Sequence, residues 1–244
     1  MREPGEAQDI SQHELEALVE RARALTHGGR RAVLGITGSP GAGKSHLAEC
    51  LVRALRAGAA VGAGHDDEEW VVHLPMDGYH LSSTQLVRLG LADQKGSPAT
   101  FDAHGYVELL RRIVVDAVHT VYAPTFDRAL DEPVAATIAV TPGTRLVITE
   151  GNYLQLEDEP WPHARAAMSE VWFCDTDETR RLEQLVARHV RFGRSEAAAR
   201  EWVQRSDARN AELVAATRRR ADLIIPDAVL ASVEWQQSLE HAPG

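Results

Sequence analysis

The apolar residues of this chain fall into two alternating kinds of pattern. Short apolar segments rich in β-branched residues predict buried strands, and they lie at 31–37, 70–74, 145–150, 170–175 and 222–226. Longer segments between them carry apolar residues three and four positions apart, which is typical of amphipathic helices. Strands that alternate with helices favour a parallel sheet covered on both faces. We therefore predict an α/β fold with three α/β/α layers and a mainly parallel five-stranded sheet.

The first predicted helix precedes the first strand. It opens at the capping box Ser11-Gln12-His13-Glu14 and stops at Gly28-Gly29. We predict that this helix, within residues 1–30, packs on the core of one domain that comprises residues 31–244. Inside that domain, residues 120–141 are β-like and punctuated by proline, which predicts a small hairpin beside the sheet.

Composition narrows the class of protein. The chain has 244 residues, of which 44% are hydrophobic, enough for one sizeable core. A net charge of −10 disfavours non-specific binding to nucleic acid. There is no apolar run as long as a membrane span, and the polar N-terminus does not resemble a signal peptide. We therefore expect a cytoplasmic protein that binds neither nucleic acid nor membranes.

Two further features have structural interpretations only. Cys50 and Cys174 are expected to be small core residues and not a disulfide or a metal pair. Residues 58–69 are rich in glycine and then in acidic residues, so we expect a flexible surface loop and assign it no function.

The strongest chemical signal is residues 38–45, GSPGAGKS, which fit the phosphate-binding P-loop pattern G-x-x-x-x-G-K-[ST]. A predicted strand precedes this segment and a predicted helix follows it, as the motif requires. Backbone amides at such a turn, together with the helix N-terminus, favour an anion. Lys44 would reach the β- and γ-phosphates, and the Ser45 hydroxyl would bind Mg²⁺. The predicted nucleotide-binding residues are Gly38, Ser39, Gly41, Ala42, Gly43, Lys44, Ser45 and His46.

Acidic residues follow two other predicted strands. Ligands of parallel sheets bind beyond the carboxyl ends of the strands, where Asp77 and Glu150 would lie. Glu150 ends a Walker-B-like strand and is a candidate for the Mg²⁺ shell, directly or through water, or for contact with the nucleophile. A capping or surface glutamate is the alternative. Asp77 is a candidate general base for an acceptor hydroxyl, and an Asp-Gly turn without chemistry is the alternative.

Basic residues cluster near the end of the chain. Two helices, predicted over 177–192 and 195–219, meet at Gly193, a possible hinge. Near this junction lie Arg188, Arg191 and Arg194. They predict a lid that closes over the phosphates and stabilises transition-state charge, with a solvated basic helix face as the alternative. Arg218 to Arg220 fit charges at a helix C-terminus better.

Taken together, several motifs resemble the P-loop kinases of the uridine kinase, pantothenate kinase and phosphoribulokinase group. The resemblance covers nearly all of the chain from Arg31 onward. Beyond the P-loop, its carriers are residues 76–80, 95–102, 122–128, 150–153 and 221–226. It implies the P-loop NTP hydrolase (kinase) fold with a helical lid, ATP as donor, Mg²⁺ as metal and a small hydroxyl compound as acceptor. A homodimer is also compatible with this family.

The same resemblance implies residues that hold the acceptor. Residues 76–80, MDGYH, look like the pantothenate kinase segment with the acceptor-side aspartate, and Asn210 looks like an asparagine that helps to hold the acceptor there. In the lid segment, His189 stands where uridine kinases usually have aspartate. The predicted acceptor-binding residues are Asp77, Tyr79, His80, Tyr122, Arg128, Asn152 and Asn210. These motifs are nearest the loosely characterised nucleoside, nucleotide or sugar kinase-like branch.

These observations predict an ATP-dependent phosphotransferase that phosphorylates a hydroxyl of a small metabolite such as a nucleoside, a pantothenate-like compound or a sugar. Its predicted catalytic residues are Lys44, Asp77, Glu150, Arg188, Arg191 and Arg194. The alternative is a nucleotide-binding regulatory or assembly protein that has no small-molecule acceptor. The Asn-Lys-x-Asp motif of GTPases and the Leu-Ser-Gly-Gly-Gln motif of transporter ATPases are both absent from the sequence.

Overall fold

The structure is a computed structural model that describes residues 4–59, 68–191, 193–203 and 207–232. Most of the acidic loop predicted at residues 58–69 therefore lies outside the described residues. The division into residues 1–30 and 31–244 stays a prediction.

Strands form two sheets in the described part of the chain. The strands are β1 (Ala32–Thr37), β2 (Val71–Pro75), β3 (Val121–Asp127), β4 (Glu132–Val140), β5 (Leu146–Glu150), β6 (Glu170–Asp175) and β7 (Leu223–Pro226). Five of them form one sheet in the order β2-β5-β1-β6-β7, and every neighbouring pair is parallel. This confirms the predicted parallel five-stranded sheet. The remaining strands, β3 and β4, form an antiparallel hairpin.

Residues 227–232, after β7, are helical, and eight further α-helices surround the sheets in the same described residues. They are α1 (Pro4–Ala24), α2 (Lys44–Ala59), α3 (Ser83–Leu89), α4 (Ala103–Val115), α5 (Trp161–Ala166), α6 (Glu178–Arg191), α7 (Glu196–Trp202) and α8 (Ala208–Ala215). None of the helices in these ranges is both long enough and apolar enough to cross a bilayer.

Three helix boundaries differ from the sequence prediction. The first helix begins at Pro4 and not at the capping box, because proline fits a first helical turn, where its missing N–H is not needed. The helix predicted over 195–219 contains α7 and α8, with residues 204–206 between them outside the described residues, and it ends at Ala215. Arg218–Arg220 form a separate 3₁₀ turn and not a helix C-terminus. The six-residue α5 was not predicted, because it is too short to show a helical period.

The core lies on both faces of the main sheet. Successive side chains of a strand point to opposite faces, so Val33 of β1 joins the cluster beneath α4 while Leu34 and Ile36 join the cluster with α2. The second cluster also includes Leu18 and Ala22 of α1. The sheet is thus enclosed by two helical layers, as the three-layer prediction requires. Cys50 and Cys174 are both buried and neither forms a disulfide.

Arg31 ties several elements together at the edge where β1 begins. Its guanidinium donates to the carbonyl oxygens of Thr141 at 2.7 Å, Ile113 and Thr144 at 2.8 Å and Asp116 at 3.0 Å. Burial lowers the pKa of Arg31. These contacts join the end of α4 to the segment between β4 and β5, at the opposite end of β1 from the P-loop.

Candidate active site

The P-loop follows β1 at the centre of the sheet, and its glycines are required by close contacts. Gly38, Gly41 and Gly43 have φ angles of 151°, 83° and 78°, which L-residues with a side chain rarely adopt. A Cβ atom at Gly38 would lie 2.8 Å from the carbonyl oxygen of Cys174, and one at Gly41 would lie 2.6 Å from Cγ of Leu185. The loop is therefore packed tightly between β6 and α6.

Side chains of the P-loop and of neighbouring elements hold carbonyl oxygens of the P-loop. The hydroxyl of Thr176 donates to Ala42 O at 3.0 Å, and Arg181 donates to Pro40 O at 2.9 Å. Nζ of Lys44 donates to Ser39 O at 3.0 Å. With its carbonyls engaged in this way, the turn is suited to direct amide groups toward an anion.

Ser45 and Glu150 bring together the oxygen ligands that a magnesium ion prefers. β5 lies beside β1 in the sheet, so Glu150 at its end faces the first turn of α2. Oγ of Ser45 donates to Oε1 of Glu150 at 3.0 Å. A hydroxyl and a carboxylate are hard ligands that fit Mg²⁺, which in such sites takes its other ligands from phosphates and water. The described residues contain no group of three or more His, Cys, Asp or Glu arranged to hold a metal.

The charged groups around the Ser45–Glu150 pair are buried. Glu150 is 5% exposed, and burial, reinforced by the negative charge of Asp77, raises its pKa to about 7. Burial also lowers the pKa of Lys44, while the charge of Glu150 acts in the opposite direction. His73 lies behind the carboxylate, with Nε2 3.8 Å from Oε1 of Glu150, and burial lowers its pKa to about 4.

Asp77 lies in a 3₁₀ turn, Met76–Tyr79, that directly follows β2. Its Oδ2 atom is 3.5 Å from an amino nitrogen of Arg128, just after β3. A Cβ atom at Gly78 would collide with the carbonyl group of Pro124. The lack of a side chain at residue 78 therefore lets the turn that carries Asp77 lie against the hairpin.

This contact leads to a stability prediction. Gly78→Ala should lower the free energy of unfolding by about 1–3 kcal/mol, because the backbone of Pro124 would have to move. Gly28→Ala is the matched control, since a Cβ at that position has no neighbour within 4 Å. Urea denaturation of both variants measures the difference, and equal stabilities would contradict the prediction.

A cavity of about 650 Å³ joins these groups. Beyond the P-loop, its lining includes His80, Lys95, Phe101, Phe126 and Arg128, and also Arg188, His189, Arg194, Trp202, Asp207 and Asn210 from the segments that follow β6. His80 is held there by a bridge to Phe101 and a contact between its Nδ1 and Asp77 O of 2.8 Å. The cavity therefore has polar and aromatic walls beyond the space that faces the P-loop.

The helical segments near the end of the chain form one wall of this cavity. Nε2 of His189 is 3.0 Å from Oδ2 of Asp207, which connects α6 to the start of α8. The guanidinium carbon of Arg194 lies 4.1 Å from the ring centroid of Trp202. Arg188 lines the cavity, and burial, together with the positive charge of Arg128, lowers its pKa.

Comparison with known proteins gives relatives that match most of the chain. A protein of Schizosaccharomyces pombe named "Putative uridine kinase C227.14" is 31% identical over 229 residues, which are 92% of each chain. "ATP-dependent kinase-like protein notR'" of Aspergillus versicolor is 37% identical over 160 residues, 62% of this chain and 93% of the relative. The chain belongs to the uridine kinase-like P-loop kinases.

Solved structures agree with the assignment of this chain to the P-loop kinases. A crystal structure from Silicibacter sp. TM1040, described as that of a "putative fructose transport system kinase", superposes with a TM-score of 0.75 at 32% identity over 87% of this chain and 98% of that one. The family described as methylmalonyl Co-A mutase-associated GTPase MeaB matches residues 6–63 only. That segment contains the P-loop, which kinases and GTPases share.

Most predicted site residues of this P-loop kinase lie together around the cavity: Lys44, Ser45, Asp77, His80, Glu150, Asn152, Arg128, Arg188, Arg194 and Asn210. Gly38, Ser39, Gly41, Ala42 and Gly43 belong to the P-loop turn and are not in its lining, and four other predicted residues also lie outside it. Tyr122 is 60% exposed, because successive side chains of β3 point to opposite faces and the neighbouring Ala123 is the buried one. Tyr79 packs edge-on against Tyr106, with ring centroids 5.4 Å apart, and Arg191 is exposed. His46, one residue into α2 beyond Ser45, is 3.8 Å from Sγ of Cys50.

Several cavity residues of the P-loop kinase were not singled out from the sequence. Nζ of Lys95 lies 2.7 Å from Oδ2 of Asp131 and 5.2 Å from the Phe126 ring centroid. The only sequence signal for Lys95 was its place in the segment 95–102, which resembles the kinase family. Trp202 and Asp207 lie in no recognised motif. Their places depend on how α7 and α8 pack against α6.

Proposed function

We propose that this protein is an ATP-dependent kinase that transfers the γ-phosphoryl group to a hydroxyl of a small polar metabolite. The observation that carries the proposal is that one cavity is lined by the P-loop, the Ser45–Glu150 pair and Asp77 together. The same cavity has further space with polar walls beyond Asp77. A protein that only bound or hydrolysed a nucleotide would not need this second space. Phosphoryl transfer depends mainly on positioning and on charge stabilisation.

On this proposal, the donor side holds the nucleotide. P-loop amides and Lys44 would bind its phosphates, and Ser45 and Glu150 would hold Mg²⁺. The metal, when bound, would neutralise charge on the β- and γ-phosphates. Arg188 would reach the transferring group from α6, where it already lines the cavity.

The acceptor side would orient the hydroxyl. Asp77 would accept its proton or a hydrogen bond from it as the new bond forms. His80, Arg128, Asn152 and Asn210 line the same cavity and would bind the rest of the acceptor. Asn210 has a fixed place because its Nδ2 donates to Gly96 O at 3.3 Å.

The test is a turnover screen with purified protein and MgATP. Nucleosides, pantothenate and sugars are added singly, and both ADP release and the phosphorylated product are measured, with GTP as a parallel donor. Acceptor-dependent ADP release with a matching product is the expected result. Nucleotide hydrolysis that no member of the panel stimulates would favour the regulatory or assembly alternative.

Glu150 gives the protein a specific pH dependence in the absence of nucleotide. The pKa of this carboxyl is raised from 4.5 to about 7 in the folded protein. Between these values the folded state binds the proton more tightly than the unfolded state does, so stability contributed by Glu150 is complete at low pH and lost as pH rises. We therefore expect the free energy of unfolding of the wild type, measured relative to that of Glu150→Gln, to fall from pH 5 to pH 8.

Urea denaturation at both pH values measures this difference. His73 contributes in the opposite direction, because burial lowers its pKa from 6.5 to about 4 and only the unfolded state binds its proton at pH 5. Since His73 is present in both proteins, this contribution is shared by the wild type and Glu150→Gln. Glu108→Gln, at an exposed carboxylate paired with Arg111, should keep the wild-type slope. Parallel profiles for the wild type and Glu150→Gln would contradict the prediction.

A further inference from the structure

The buried side chain of Arg181 contacts the P-loop but has no role in the chemistry proposed above. It is 3% exposed, and its guanidinium donates to Pro40 O at 2.9 Å. Pro40 itself lines the cavity. A buried cation is costly unless it is paired, so its partners determine what it does.

One carboxylate pairs with Arg181 and fixes its orientation. Nε donates to Oε2 of Glu178 at 2.8 Å, and the second amino nitrogen donates to Oε1 at 2.6 Å. Such a two-pronged contact holds the guanidinium plane in one orientation. The remaining amino nitrogen then points at Pro40 O, so the P-loop backbone is bound by an oriented charged donor.

The same helix is packed directly against the loop. A Cβ at Gly41 would lie 2.6 Å from Cγ of Leu185 and 2.9 Å from Arg181 O. Arg181, Leu185 and Arg188 are spaced by four and three residues, so they share one face of α6. Two of them therefore seat α6 on the P-loop, and the third, one turn later, lines the cavity.

We propose that Arg181 is a positioning residue that fixes the P-loop for phosphate binding and sets the placement of α6, so that Arg188 faces the bound phosphates. Lys44 would exchange its contact with Ser39 O for a phosphate oxygen, whereas the contact between Arg181 and Pro40 O would persist in the complex. The role of Arg188 rests on the proposed function, but the effect on the P-loop requires only nucleotide binding.

The test compares Arg181→Lys with Arg31→Lys in the full chain. Both changes remove a guanidinium that donates to backbone carbonyls, so both should lower the melting temperature. Only Arg181→Lys should weaken MgADP binding, by about tenfold, as expected for loss of one hydrogen bond from a charged donor. Isothermal calorimetry with MgADP measures this without any acceptor. Equal MgADP affinities in the wild type and Arg181→Lys would overturn the proposal.

A milder variant covers the case in which Arg181→Lys does not fold. Glu178→Gln leaves Arg181 in place but weakens the contact that orients it, and the Glu178 side chain is 68% exposed. It should weaken MgADP binding about threefold, and an unchanged affinity would overturn the proposal.

The proposed effect of Arg181 on the placement of Arg188 is tested by a separate measurement. Arg188→Met should reduce the preference for a non-hydrolysable ATP analogue over ADP, and adding Arg181→Lys should reduce that preference no further. A further reduction would overturn the link between the two arginines. Normal MgADP binding without any acceptor-dependent turnover would refute the proposed kinase activity while leaving the role of Arg181 at the P-loop intact.

Discussion

Replacing Lys44 with alanine is expected to lower kcat/KM for ATP about a thousandfold, in the range seen when one preorganised charge at a reacting group is removed. Lys44 is 8% exposed, and its charge interacts with those of Glu150 and Asp77. Its only recorded hydrogen bond in the described structure is to Ser39 O, a contact that a phosphate oxygen can replace. Steady-state kinetics with MgATP and the acceptor identified by the screen measure the loss.

The pKa of Glu150 distinguishes loss of the Lys44 charge from simple misfolding of the variant. The charge of Lys44 lowers the pKa of Glu150, so Lys44→Ala should raise that pKa further and extend the pH range over which stability falls. Denaturation profiles of a folded variant would show the shift. Turnover within tenfold of the wild type would contradict the assignment of the P-loop as the donor site.

The parts of the fold that follow local patterns could be predicted from the sequence. Buried strands need apolar, β-branched residues whichever neighbours they pair with, so all five strands of the main sheet were located. Residues 38–45 were found because the P-loop needs glycines where its backbone has positive φ angles, as at Gly41 and Gly43. The proximity of Glu150 to Ser45 depends on β5 lying beside β1, and the Walker-B-like pattern of that strand supplied the expectation.

The remainder depends on contacts between distant residues. The periodicity of residues 195–219 could not show that Asp207, at the start of α8, turns inward to His189. Nor could the periodicity of residues 177–192 show that Arg181 points at Pro40 while Arg191 is exposed on the same helix. A basic helix looks alike in sequence whether its arginines face solvent, a cavity or another backbone.

Replacing Asp77 with asparagine is expected to lower acceptor-dependent turnover by about 10²–10⁴-fold, the range typical of general acid–base catalysis. Asparagine keeps the size of the side chain but cannot accept a proton from the hydroxyl. Asp77 lines the cavity and its Oδ2 lies 3.5 Å from Arg128, so the variant would also lose this ion pair. Turnover with the identified acceptor is compared with that of Asp93→Asn, which changes an exposed aspartate outside the cavity lining.

MgADP affinity then distinguishes the two roles open to Asp77. If Asp77 orients the hydroxyl, MgADP binding should stay within twofold of the wild type while turnover is lost; if it belongs to the metal shell, both should fall together. Its charge also raises the pKa of Glu150, so Asp77→Asn should lower that pKa and move the pH dependence of stability to lower pH. Full acceptor-dependent turnover in Asp77→Asn would show that it is not the base, and the hydroxyl would then have to be oriented by other groups of the same wall.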